Sequence, residues 1–153
     1  MTTTKQIYIA SDHAGFELKG FLKEKLSSME YEVIDYGPDM LIPQDDYPDY
    51  ISKVAKIVSE SKGIARAIII GGSGQGEAMV ANKYKYVRAD VYYGGNIEIV
   101  KLGREHNDAN VISLGARFMT NDQAFDAVSI WLDTPFSNDE RHVRRIHKMD
   151  ELR

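Results

Sequence analysis

The sequence predicts a three-layer α/β/α sandwich on a five-stranded parallel sheet of the Rossmann or flavodoxin-like kind, followed by a C-terminal helix. Three observations predict it. Short apolar runs alternate with amphipathic stretches along the chain, the pattern of βαβ units. One run, Ala67-Ile68-Ile69-Ile70, is apolar at every position, which suits a strand covered on both faces at the centre of a parallel sheet. That run leads directly into a glycine-rich turn, Gly71–Gly76, ahead of another helical stretch.

Taken in order, Ile7–Ala10 reads as the first strand, followed by Ser11-Asp12-His13-Ala14-Gly15. Leu18, Phe21, Leu22 and Leu26 then fall on one face of a helix. Tyr31–Tyr36 reads as the second strand, ended by Gly37-Pro38, and an Asp- and Pro-rich loop runs to about Pro48. Ile51, Val54, Ala55 and Val58 mark the next helix. After the central strand a helix is expected to begin near Glu77. Arg88–Tyr93 reads as the fourth strand, Asn96–Arg104 as a helix and Asn110–Gly115 as the fifth strand. Ala124, Ala127, Val128 and Trp131 mark another helix. With right-handed crossovers, a flavodoxin-like strand order is the first choice. In the last segment, Asp139–Arg153, Val143, Ile146, Met149 and Leu152 recur every third residue among charged positions. A helix with so narrow an apolar seam belongs on a domain edge or across a partner subunit.

Composition bounds the function. The 153 residues fit one domain, 1–153, and need no disulfide or metal staple. Cysteine is absent, which excludes a thiol nucleophile and thiolate zinc sites and is compatible with a reducing, cytoplasmic setting. A net charge of −4 and a pI near 5.6 leave no general basic field for nucleic acid. The segment MTTTKQIYIAS lacks the apolar core of a signal peptide, and no apolar run approaches the roughly 20 residues of a membrane span. Four histidines without clustered spacing do not argue for a metal.

In open parallel sheets ligands bind beyond the carboxyl ends of the strands. Three polar clusters are expected there: Asp12-His13, the loop Gly71–Glu77, and Arg117. Four glycines in six residues let the backbone approach a ligand and turn N–H groups toward an anion. The spacing is neither that of a Walker loop nor the strict dinucleotide G-x-G-x-x-G, and a plain tight turn also accounts for it. Glu77, opening the next helix, is either a simple N-terminal charge or a general base facing the cradle. Asp12 and His13 are either a helix cap with its neighbour or ligand contacts. His106 stands at a helix end, where a surface or capping role is usual. Arg141 and Arg145, four apart, form either a solvated face or a phosphate clamp. His142 and His147 are read as polar surface positions of the terminal helix.

Five motifs, in this order, resemble the ribose-5-phosphate isomerase B family, whose wider group includes galactose-6-phosphate and allose-6-phosphate isomerases. They are Ser11-Asp12-His13-Ala14-Gly15, Gly71–Glu77, Ala81-Asn82-Lys83, Arg104-Glu105-His106-Asn107-Asp108 and Arg141-His142-Val143-Arg144-Arg145. The resemblance implies a cofactor-free, metal-free aldose–ketose isomerase working through a cis-enediolate. Many members carry a cysteine base where this chain has Gly71. The chain is similar instead to the subgroup with Gly-Gly-Ser-Gly-x-Gly-Glu, which makes Glu77 the base. The resemblance further implies ring opening by His106 with Asp12 as counterpart, and sugar and phosphate contacts from Asp12 and His13. Ser73 and the N–H groups of Gly72, Ser73, Gly74, Gln75 and Gly76 would hold the enediolate. Asn107 would hold sugar hydroxyls, and Arg117, Arg141 and Arg145 the phosphate. It also implies a homodimer, or a tetramer built from it, with the active site between subunits and with some of these groups, Tyr47 among them, supplied by the partner.

The expected substrates are D-ribose 5-phosphate and D-ribulose 5-phosphate. The alternatives are the same chemistry on allose or galactose 6-phosphate, and a non-catalytic phosphate- or nucleotide-binding module.

Overall fold

The computed structural model describes residues 5–152; residues 1–4 and 153, the outer ends of the segments read above, lie outside the described residues. In chain order the elements are β1 (Lys5–Ser11), a 3₁₀ turn (His13–Gly15), α1 (Phe16–Ser28), β2 (Tyr31–Asp35), α2 (Pro48–Glu60), β3 (Ala67–Gly71), α3 (Gln75–Ala81), β4 (Ala89–Tyr92), α4 (Glu98–Asn107), β5 (Val111–Gly115), a second 3₁₀ turn (Ala116–Phe118), α5 (Asn121–Asp133) and α6 (Glu140–Asp150). Helix α3 opens two residues ahead of Glu77, because Gly74 adopts a left-handed φ of 78° and turns the chain early.

All strand pairs are parallel, and the sheet order is β2-β1-β3-β5-β4. The class is the expected one. Its edge differs from the flavodoxin order 2-1-3-4-5 by one exchange. Burial gives the reason. β5 is buried at every position, whereas β4 carries Asp90 and is covered only in part. The fully apolar strand takes the interior and the mixed one the rim.

The run Ala67–Ile70 is apolar throughout because its alternate side chains enter two cores. Ile68 and Ile70 join Ile7, Ile9, Ile112 and Leu114 beneath α1, α4 and α5, with Leu18, Leu22, Leu26, Val100, Val128 and Trp131. Ala67 and Ile69 join Ala10 and Val111 beneath α2 and α3, with Ile51, Val54, Ala55, Val58 and Ala81. Burying each isoleucine or leucine contributes roughly 1.5–3 kcal/mol, so both helical layers are held by the same few strands. Thr120 caps α5 reciprocally with Gln123: Gln123 N–H donates to Thr120 Oγ1 at 3.1 Å, and Thr120 N–H to Gln123 Oε1 at 2.9 Å.

Helix α6 packs on α4 through Ile146 and His142. Its expected seam is covered only in part: Met149 and Leu152 remain exposed. No helix among the described residues is long and apolar enough to cross a membrane.

Candidate active site

The sheet switches direction of winding between β1 and β3, and their carboxyl ends carry the site. β1 delivers Asp12, whose N–H donates to Ile70 O at 3.2 Å. Its Oδ1 accepts from Gly15 N–H at 3.1 Å, so the capping role is real. Gly15 itself lies so close to Ile70 that any Cβ there would collide with it.

β3 ends at Gly71, and Glu77 on the first turn of α3 folds back over it. A Cβ placed on Gly71 would fall inside the Glu77 carboxyl group. Glu77 is only 4% exposed, so it is not a solvated helix-start charge. Burial pushes its pKa up; its own backbone N–H opposes this, and the charge of Asp12 together with a side-chain hydrogen bond to Asp12 raises it further. Two carboxyl groups thus meet at the mouth of the loop, and burial beside Asp12 favours the protonated form of Glu77.

The loop that frames them is held by small residues and its own hydrogen bonds. Ser113 Oγ donates to Gly74 O at 2.6 Å, and Ser73 Oγ accepts from Gln75 N–H at 3.3 Å. Arg117 N–H donates to Gly72 O at 3.0 Å, and the Arg117 side chain lies across Gly72. The Tyr47 hydroxyl and ring sit where a side chain on Gly76 would be. The expectation that the partner supplies Tyr47 is therefore corrected: Tyr47 stands just before α2, which packs on α3, so it reaches the glycine loop of its own chain.

His13 opens the 3₁₀ turn beside Asp12. Asp45, in the long loop before α2, accepts from His13 N–H at 3.2 Å and lies 2.8 Å from His13 Nδ1. Sequence reasoning passed over Asp45, because an aspartate in an aperiodic polar loop carries no signal of its partner.

The other expected residues do not join this cup within one chain. His106 and Asn107 end α4, immediately before β5, at the amino edge of the sheet. Gly71 and Gly115 pair at the carboxyl edge, while Ala67 and Val111 pair at the amino edge. Five strand residues span roughly 13 Å, which separates the two groups. Arg88 anchors the amino-edge group: its Nε donates to Asn107 O at 2.9 Å, and its guanidinium lies 3.5 Å from Asp150 of α6. Arg141 and Arg145 are exposed on α6, beside the same edge. Asn82 is structural, bridging to Ala89 N–H and C=O at 2.8 and 2.9 Å.

His142 corrects another expectation. It is 6% exposed and stacks on His106 with ring centroids 4.3 Å apart and planes 18° from parallel. Burial lowers its pKa, followed by the nearby charge of His106, so the neutral ring is favoured. The i, i+4 relation of His142 to Ile146 was the available signal, since it places the imidazole on the seam of the helix.

A cavity of about 470 Å³ also opens at the amino edge, between Asn82, Lys85, Arg88, Asp90, Asn107 and Met149. None of the cup residues lines it. The cup is the stronger candidate despite this cavity's size, because among the described residues only the cup holds paired carboxyls beside a glycine loop.

Fold and cup together define an α/β protein with two carboxyl groups beside a glycine loop at the switch point of its sheet. The chain belongs to the ribose/galactose isomerase family, LacAB_rpiB, whose model matches residues 7–149. It is 38% identical over 143 residues to a Mycoplasma genitalium protein named probable ribose-5-phosphate isomerase B, covering 94% of this chain and 92% of that one. It is 36% identical over 147 residues to ribose-5-phosphate isomerase B of Mycolicibacterium paratuberculosis, covering 95% and 90%. The crystal structure of the Mycoplasma genitalium ribose-5-phosphate isomerase B with bound ribulose-5-phosphate matches with a TM-score of 0.92 at 36% identity, covering 99% of this chain and 97% of that one.

Proposed function

We propose that the chain interconverts D-ribose 5-phosphate and D-ribulose 5-phosphate, with Glu77 as the general base. The observation that carries this reading is the enclosed Glu77 carboxyl at Gly71, in contact with Asp12 and framed by the glycine loop. Glu77 takes the proton from C2 of the open-chain aldose, and the electrons form the C1–C2 double bond with charge on O1. N–H groups of the glycine loop stabilise that enediolate, each such donor lowering the barrier by roughly 3 kcal/mol. The proton on O2 passes to O1, Glu77 returns its proton to C1, and C2 becomes the carbonyl of the ketose. The raised proton affinity of Glu77 suits a group that must accept and return one proton.

One chain holds Asp12, His13, Tyr47, Ser73, Glu77 and Arg117 at one edge of its sheet, and His106, Asn107, Arg141 and Arg145 at the other. In the proposed homodimer, a two-fold axis brings the second group of each chain to the cup of its partner, because an isologous interface makes every such contact twice. His106 then opens the furanose ring, Asn107 holds sugar hydroxyls, and Arg141 and Arg145 join Arg117 on the phosphate. The substrate carries its own charge and the residues supply acid, base and hydrogen-bond donors, so the reading needs no cofactor. The same reading places the enzyme in the cytoplasm, since a phosphorylated sugar does not cross a bilayer unaided.

The test is a spectrophotometric comparison of ribose 5-phosphate, allose 6-phosphate and galactose 6-phosphate as substrates. Ribose 5-phosphate is expected to give the highest kcat/KM. Preference for a hexose phosphate would move the reading to the six-carbon sugars, and binding of a nucleotide without turnover of any sugar would remove it.

A further inference from the structure

Asp45 is one of the least exposed carboxylates outside the cup, with a side chain 3% exposed, although it sits on a connecting loop. One of its oxygens, Oδ1, takes both contacts from His13: the backbone N–H at 3.2 Å and ring Nδ1 at 2.8 Å. The other oxygen, Oδ2, is enclosed and has no hydrogen-bond partner among the described residues. Among the described residues, His13 is also the only ion-pair partner of Asp45. A carboxylate taken out of water without a balancing partner is costly, so this loop is built around the one imidazole that can offset it.

The same contact decides which ring nitrogen of His13 is left free. A carboxylate accepts only, so the hydrogen on the 2.8 Å contact belongs to Nδ1. Nε2 is left without a hydrogen-bond partner among the described residues, and the His13 side chain remains about one third exposed. Two anchors, backbone and ring, restrain the rotation of the imidazole. A carboxylate behind a histidine commonly sets its tautomer in this way.

We infer that Asp45 is a positioning residue for sugar-phosphate binding: it holds His13 by Nδ1 so that Nε2 is aimed at the phosphate end of the substrate. When Nε2 donates to a phosphate oxygen the ring carries a proton on each nitrogen, and Asp45 is the counter-charge. The inference rests on the proposed isomerase reading for its substrate, but the tautomer does not.

Two measurements separate them. Nitrogen NMR of ¹⁵N-histidine-labelled protein, with His13→Ala identifying the His13 signals, should show Nδ1 protonated in the wild type and Nε2 protonated in neutral Asp45→Ala. A wild-type ring protonated on Nε2 alone would overturn the inference whatever the protein catalyses. In kinetics with ribose 5-phosphate, Asp45→Ala should raise KM about 10-fold with kcat within about 2-fold, in line with losses on removing an orienting partner. His13→Ala should do at least as much, and the double variant no more than His13→Ala alone. Additive losses, or a fall in kcat with KM unchanged, would overturn it. If the wild type turns over no ribose 5-phosphate, the isomerase reading fails while the NMR result still decides the role of Asp45.

Discussion

The carboxyl group of Glu77 occupies the space that any side chain at residue 71 would need, and Gly71 is what leaves that space open. The relation ties a backbone feature at the end of β3 to the chemistry of α3. A cysteine base at residue 71, which the resemblance associates with other family members, and this placement of Glu77 exclude one another. In the proposed reading, the two kinds of base are alternative fillings of one position in the cup.

Gly71→Ala therefore tests Glu77 without touching it. The added methyl group displaces the carboxyl, and a displacement of about 1 Å from the reacting atoms can cost 100-fold in rate. We expect kcat to fall about 100-fold while KM changes far less and the thermal transition stays cooperative. Wild-type kcat in Gly71→Ala would show that the carboxyl is not needed where it lies.

Glu77→Gln should reduce kcat at least 1000-fold, within the range lost when a reaction's acid–base group is removed, with ribulose 5-phosphate binding changed only a few-fold in a direct titration. In the wild type, the base must be ionised to act. Because burial and Asp12 raise the pKa of Glu77, kcat/KM should decline on acidification at a pH above the ordinary glutamate range. A pH profile flat down to that range would place the proton transfer on another group.

The separation of Glu77 from His106 within one chain makes a prediction about mixtures. Glu77→Gln and His106→Gln homodimers should each be nearly inactive. Unfolding and refolding them together should restore roughly a quarter of wild-type activity, because half the dimers are hybrids with one intact site each. Continued inactivity of the mixture would mean that each cup is completed within its own chain. Arg141→Ala with Arg145→Ala should mainly raise KM, as expected for groups that hold the phosphate in ground state and transition state alike.

Turnover should survive prolonged dialysis against EDTA, because the steps assigned to Glu77, Asp12 and His106 need only proton transfer and hydrogen bonding. Loss of activity that added metal restores would require a different mechanism.

Asp90 offers a prediction about stability. It lies under α4 against Gly103, with Oδ1 enclosed and unpartnered among the described residues. Burial pushes its pKa up to about 7, against the opposing pull of its own backbone N–H and of Arg104. A carboxyl whose pKa is higher folded than unfolded stabilises the fold while protonated in both states, and that advantage is lost as pH rises through the folded value. Asp90→Asn should therefore be more stable than the wild type at pH 8.5, by on the order of a few kcal/mol, with the gap closing by about pH 4. Urea titrations at the two pH values measure this; a gap of equal size at both would assign the effect to packing.

The cup was legible in the sequence to the extent that it is local. Asp12, the run Gly71–Glu77 and Arg117 stand at the ends of strands whose apolar patterns are unmistakable, and a parallel sheet brings such ends together. The apolar character of Val111–Gly115 was equally visible, but its consequence, an interior place that pushes β4 to the rim, depends on competition between two strands for the same neighbour. His142 read as a surface histidine because only the docking of α6 on α4 buries it.

By itself, then, the sequence determined the class of fold, the two-faced central strand and the residues that form the cup, all of which follow from period, glycine content and local order. Tertiary structure alone decided that Gly71 makes room for Glu77, that Asp45 holds His13 from 32 residues away, and that His106 stands at the opposite edge of the sheet from Glu77. Those are relations between segments. They arise when the chain closes on itself and side chains compete for one enclosed volume, a competition that no periodicity along the chain records.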